Sequence, residues 1–126
     1  MFAAVKSKFG SWTRPTQVQT GTYTLGLRDL GTVITNRGGT TSAYTLPAPG
    51  PGLSGAWVQF YRVAAGNMSV TAGTGKIVAK NDAAVDTIGF EDGGEEIGQS
   101  LTMVCDGTSW LAIVDLAAEA TGVTIT

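Results

Sequence analysis

The side chains best equipped for chemistry in this sequence are the carboxylates of Glu91, Asp92, Glu95 and Glu96, set around Gly93-Gly94, and the single thiol of Cys105. Several acidic oxygens on a glycine-containing loop are what a hard cation such as calcium takes, but the alternating aspartates of an EF-hand are missing. Paired carboxylates can also hydrolyse a glycosidic bond when they flank it at a fixed separation, and adjacent acids in one loop do not create that separation. The cluster therefore reads first as a hydrated turn. Cys105 lies in an apolar run with no cationic neighbour in sequence to lower its pKa, which marks a core residue rather than a nucleophile. With no histidine in the chain, Ser-His-Asp and Cys-His devices are excluded, and one cysteine cannot make a Cys/His zinc site or an intrachain disulfide.

Two further motifs fail on inspection. Gly73-Thr74-Gly75-Lys76 resembles the end of a phosphate loop, but Val70 stands where the first glycine belongs and Ile77 where a magnesium-binding hydroxyl belongs. It reads instead as a hairpin turn. Gly52-Leu53-Ser54-Gly55 misses the spacing of a nucleophile elbow and follows a proline-rich stretch rather than a strand. Asn67-Met68-Ser69 fits a glycosylation sequon without a secretion signal to make it meaningful. The sequence thus predicts a protein that is not an enzyme and has no catalytic, metal or cofactor site.

The elements that surround these residues point to one small all-β domain. A chain of 126 residues supports one core. Hydrophobic residues at 43% against 14% charged argue against disorder, while 18 glycines spread along the chain divide it into short segments. Turn signals separate β-branched or aromatic runs at 16–25, 32–36, 43–46, 56–63, 68–71, 76–79, 87–90, 97–105 and 110–115, the sequence form of a sandwich or small barrel. The expected architecture is a compact antiparallel β-sandwich or jelly-roll-like barrel over 16–126. Residues 56–63 and 68–71 read as a hairpin, and Asp106-Gly107-Thr108-Ser109 marks the clearest one. The loop 47–52, with three prolines, must lie outside a central ladder. Only residues 115–120 could form a turn or two of helix. No stretch approaches the 18 apolar residues of a membrane span, and the first ten residues lack the apolar run of a signal peptide.

Residues 1–15 keep neither helical nor strand periodicity and read as an extended N-terminal arm. Its Phe2, Phe9 and Trp12 are costly to leave in water, and Lys6, Lys8 and Arg14 have no acidic neighbour in sequence, so these six are the candidate partner-binding residues. The charge is polarised along the chain: no carboxylate precedes Asp29, and no cation follows Lys80. In the last hairpin, residues 110–114 are apolar on both faces, which calls for cover on both sides. Trp110, Leu111, Ile113 and Val114 are therefore the candidate oligomer interface.

Four segments carry a resemblance: Tyr44-Thr45-Leu46-Pro47, Gly55-Ala56-Trp57-Val58-Gln59-Phe60, Met68-Ser69-Val70, and residues 101–110 with Asp106-Gly107-Thr108 before Trp110. In these the sequence resembles small β-rich structural modules of tailed bacteriophages, found in head decoration (cement) proteins and in tail fibres. The resemblance covers about the last two-thirds of the chain and brings no catalytic residues. It implies a homotrimer. The short length, with an arm and no fibre shaft, favours a virion decoration protein that binds and stabilises neighbouring major capsid proteins on the capsid exterior, after assembly in the host cytoplasm. Nucleic acid and membrane are not expected partners. The alternative is a tail-fibre or receptor-binding module contacting host surface glycans.

Overall fold

A computed structural model describes residues 15–39, 41–79, 81–90, 97–115 and 123–125. The arm residues Phe2, Lys6, Lys8, Phe9, Trp12 and Arg14, the acidic loop 91–96 and residues 116–120 lie outside the described residues. The described residues form strands, two single-turn 3-10 segments and loops, with no α-helix among them. The strands are β1 (Thr16–Val18), β2 (Gly21–Thr24), β3 (Val33–Thr35), β4 (Thr41–Thr45), β5 (Trp57–Tyr61), β6 (Asn67–Thr71), β7 (Ile77–Ala79), β8 (Asp82–Val85), β9 (Thr87–Phe90), β10 (Ser100–Cys105), β11 (Trp110–Asp115) and β12 (Val123–Ile125). They build a seven-stranded sheet in the order β1-β3-β5-β10-β11-β7-β8 and a five-stranded sheet in the order β12-β9-β6-β4-β2.

The all-β class is as expected, but the strand pairing is not purely antiparallel. β1, β3 and β5 run parallel in the large sheet, and β2, β4 and β6 run parallel in the small one. The first six strands are therefore three stacked turns, each contributing one strand to each sheet. Parallel neighbours need a crossover, and here the crossover is itself a strand of the other sheet. The stacking is in register: Thr22-Tyr23-Thr24, Ala43-Tyr44-Thr45 and Ser69-Val70-Thr71 lie side by side. Leu25 and Leu46 extend it, their N–H groups donating to the carbonyls of Thr45 and Thr71 at 2.8 Å each.

Corners between the sheets explain why 16–25 is two strands and not one. Gly21 has φ +71°, a conformation that costs glycine little and lets the chain leave one sheet for the other. The next corner packs directly on this one, because a Cβ on Gly39 would meet Thr20 Cγ2 at 2.6 Å. The buried Asn36 then ties the second corner to the third. Its Oδ1 accepts from the N–H groups of Val63 (2.7 Å) and Ala64 (3.0 Å), and its Nδ2 donates to the Ala64 carbonyl at 3.1 Å. Three backbone groups that a sharp corner would orphan are thereby satisfied.

The expected hairpin of 56–63 with 68–71 does not form: β5 and β6 belong to different sheets, as do β6 and β7 across Gly73-Thr74-Gly75-Lys76. In each case the intervening residues make a corner that passes the chain between layers. The chain turns at Asn81, with φ +69°, and then adds the strand β8, which the runs of β-branched residues do not include, and Asp115 ends a strand. The Asp106–Ser109 hairpin forms as its sequence indicates, pairing Cys105 with Trp110 and Ser100 with Asp115.

One hydrophobic cluster is shared by both sheets. Ile34, Val58, Phe60, Leu101, Met103 and Trp110 enter from the large sheet, and Tyr44, Met68, Val70, Ile88 and Phe90 from the small one, all 0–1% exposed. The Tyr44 and Phe60 rings meet across the layers with centroids 4.9 Å apart, tilted by 32°, within the range for favourable aromatic pairs.

Candidate binding surface

Alternation along each strand sends every second side chain away from this core. On the seven-stranded sheet the outward side chains fall into cross-strand rows. Trp57, Val104, Leu111 and Val78 stand side by side, and Thr16, Val33, Gln59, Thr102 and Ile113 form the next row. A third holds Val18, Thr35 and Tyr61, and its register runs on through Ser100 to Asp115 at the margin of the sheet. Val18 is 54%, Tyr61 41% and Ile113 58% exposed. None of the twelve positions from Thr16 to Ile113 named in these rows before that margin bears a charge. Eight of the twelve are hydrophobic, with Thr16, Thr35, Gln59 and Thr102 set among them, and hydrophobic side chains left in water on a sheet face favour contact with another surface.

The outer face of the five-stranded sheet differs in kind. Thr24, Thr45, Thr71 and Thr87 occupy one cross-strand row, and Thr22, Ala43, Ser69 and Gly89 the next. Hydroxyls and small side chains remain in water at little cost. A recess of about 240 Å³ at the rim of this sheet is lined by Thr41, Ser42, Asn67, Met68, Gly89 and Phe90 among others, and none of the described lining residues is titratable.

The polar groups that could do chemistry serve as structure. Asp29, 5% exposed, accepts hydrogen bonds from the Gly26 N–H at 2.8 Å, the Tyr23 hydroxyl at 2.9 Å and Gln17 Nε2 at 3.1 Å. Gln17 Nε2 also donates to the Thr32 hydroxyl, which donates to the Asp29 carbonyl. Burial pushes the Asp29 carboxyl up, but the donors from Gly26, Tyr23 and Gln17, with nearby Arg28, hold it on balance below the usual carboxylate range. The same pair raises Tyr23, chiefly because its hydroxyl donates to Asp29. This network fastens the connection between the first and second turns. Asp106 accepts from the N–H groups of Ser109 and Thr108 in the β10–β11 turn, and these donors lower its pKa. Arg62 is 0% exposed and donates from Nη1 to Gln99 Oε1 at 2.7 Å. Cys105 is buried in the core, where the Gly107 N–H approaches its sulfur at 3.4 Å. Among the described residues no group of three or more His, Cys, Asp or Glu side chains could hold a metal ion.

The four interface candidates of the last strand separate in the structure. Trp110 is a core residue, 0% exposed, with Nε1–H donating to the Pro47 carbonyl at 2.9 Å. It cannot meet another subunit while the fold stays closed. Its neighbours Leu111 and Ile113 point outward, and the Val114 side chain lies outside the described residues. Trp57, Val78, Val104, Val33, Val18 and Tyr61 belong to the same face, although the pattern within each strand does not single them out. The repeat Thr22-Tyr23-Thr24-Leu25 and Ala43-Tyr44-Thr45-Leu46, spaced 21 residues apart, marks neighbouring strands of the other sheet and does not reach these positions. No helix among the described residues is long and apolar enough to cross a membrane. No protein-family model matches the chain, and no curated protein matches its sequence.

Proposed function

We propose that the chain is a virion structural protein of a tailed bacteriophage, a capsid decoration protein acting as a homotrimer on the capsid exterior. In this reading a β-sandwich body carries the oligomer contacts, and an N-terminal arm attaches to the major capsid protein through Phe2, Lys6, Lys8, Phe9, Trp12 and Arg14. The observation that carries it is the outer face of the seven-stranded sheet, on which eight of the twelve named positions are hydrophobic and a charge enters the rows at Asp115, on a body whose described reactive groups are tied into turns and core. Such a molecule works by burying surface, each fully buried aliphatic or aromatic side chain contributing about 1.5–3 kcal/mol. Stacked, register-locked turns suit a load-bearing part, since a one-residue slip would turn Tyr44, Val70 and Ile34 outward.

The resemblance to phage modules noted in the sequence supports the same reading. The test is to image purified particles with and without the protein. Regular occupancy over the shell is the expected result, and occupancy confined to the tail tip would favour the tail-fibre alternative. Deleting residues 1–15 should leave a folded body that attaches poorly to particles. Equal attachment of the truncated protein would remove the arm from the mechanism.

A further inference from the structure

We infer that the first turn of the winding, residues 15–25 with β1 and β2, opens as a unit separate from the rest of the body, and that the buried Asp29 carboxylate is the latch that acid releases. Neither a partner nor a particle is needed for this opening, so it stands apart from the functional proposal and is tested on the chain alone.

The three turns contribute unequally to the core. Residues 15–25 bury one hydrophobic side chain, Leu25, with Tyr23 packed partly against the cluster. The second turn buries Ile34, Tyr44 and Leu46, and the third Val58, Phe60, Met68, Val70 and Ala72. β1 and β2 are also end strands of their sheets, each with one ladder, to β3 and β4 respectively. Opening the first turn therefore breaks two ladders and vacates one core position, and it leaves the pairing of the second turn with the third intact. A segment with few buried apolar contacts opens at a lower free energy than the body it rests on.

Polar bonds take the place of the missing apolar grip. Asp29 follows the first turn in the chain and reaches back to both of its strands, accepting from Gln17 of β1 and Tyr23 of β2 as well as from the Gly26 N–H. Gln17 also reaches Thr32, the residue before β3. One buried carboxylate thus ties two end strands to the start of the second turn. When protonated it loses its charge and turns one oxygen into a donor, so it no longer serves these three donors with charge-assisted strength. Among the described residues, the charged or titratable groups that face it are Tyr23 and Arg28. Tyr23 is raised above its ordinary value and stays a donor in acid, so Asp29 is the group that switches. Its folded pKa lies below the ordinary carboxylate range, so the latch is complete above that range and lost as pH falls through the folded value. The Tyr44 hydroxyl also holds the first turn, donating to the Gln19 carbonyl at 2.7 Å, and that bond does not titrate in acid.

The experiment follows amide hydrogen exchange of the full chain by NMR, with rates corrected for the pH dependence of free-peptide exchange. Leu25 and Leu46 donate N–H bonds of the same 2.8 Å length in successive turns, so they compare the first turn with the second directly. At about pH 7, Leu25 should be roughly tenfold or more less protected than Leu46. Lowering the pH to about 3 should cut the protection of Gln19 and Leu25 by roughly a further tenfold, while Leu46 and Arg62 hold theirs. Asp29→Asn should reduce the protection of Gln19 and Leu25 already at neutral pH and remove the acid response. Asp106→Asn, which removes another carboxylate held by N–H groups, should keep the wild-type response. Equal protection of Leu25 and Leu46, an acid response that survives Asp29→Asn, or one abolished by Asp106→Asn would each overturn the inference. If acid unfolds the whole chain, Asp29→Asn at neutral pH decides: a loss confined to the first turn upholds the separate unit, and an equal loss in all turns overturns it.

Discussion

The outer faces of the two sheets are made by the same winding chain, turn by turn, and yet differ in kind, one setting large apolar side chains among Thr16, Thr35, Gln59 and Thr102 and the other carrying hydroxyl and small side chains. Each of the first three turns places a β-branched or aromatic side chain outward on the seven-stranded sheet, such as Val18, Val33 and Trp57, and a hydroxyl outward on the five-stranded sheet, such as Thr24, Thr45 and Thr71. Strand propensity is met in both cases, since valine and threonine are both β-branched. What differs is the cost of hydration. The contrast teaches that local strand preference and surface purpose are specified separately, the first by branching at Cβ and the second by whether a methyl or a hydroxyl occupies the branch.

That comparison presupposes a sharp division between inside and outside, and Trp110 beside Leu111 is the strongest place to test it. Trp110→Ala should destabilise the fold by about 3–5 kcal/mol, the cost of emptying a core aromatic site. Leu111→Ala, on the outer face of the same strand, should cost the isolated chain about 1 kcal/mol or less. Urea denaturation of both variants at low protein concentration measures the difference. Similar losses would mean that the outer face is covered within the chain.

The next largest effect concerns the corners that keep the turns in register and so keep the two faces distinct. Asn36→Ala leaves the Val63 and Ala64 N–H groups without their acceptor and should cost about 2 kcal/mol. A loss below a few tenths would show that the corner is held by other means.

Asp29 supplies a pH signature for the connection between the first and second turns. Its folded pKa lies below the unfolded value, so its contribution is fully present above the ordinary carboxylate range and is lost as pH falls through the folded pKa. Stability of the wild type should therefore fall more steeply than that of Asp29→Asn as pH is lowered from about 5 to 3. Parallel pH profiles for the two proteins would exclude Asp29 as a source of the slope. The smallest expected effect is on the hydroxyl face: Thr45→Val should change stability by about 0.5 kcal/mol or less. It should, however, make that face slightly more adhesive, read as a small gain in sedimentation mass at high concentration.

Much of the architecture is legible in the order of the residues. Glycine-punctuated runs of β-branched residues specify strands, and Asp106-Gly107-Thr108-Ser109 specifies its hairpin, because the aspartate accepts from the two N–H groups that follow it within the same few residues. The parallel winding is not legible in the strand pattern. A turn such as 64–66 between two strands looks the same whether the chain folds back beside itself or crosses to another layer, and only the partner of each strand decides between them.

By itself, the sequence determined the all-β class, the burial of Cys105 and the exclusion of histidine-based chemistry, since these depend on residue type and local spacing. The tertiary structure alone decided that Trp110 is core while Leu111 and Ile113 are surface. It also gathered Val18, Val33, Trp57, Val78 and Val104 onto one face with them. Alternation specifies that neighbours point to opposite sides, but which side is inside is settled only when a second sheet closes over one of them.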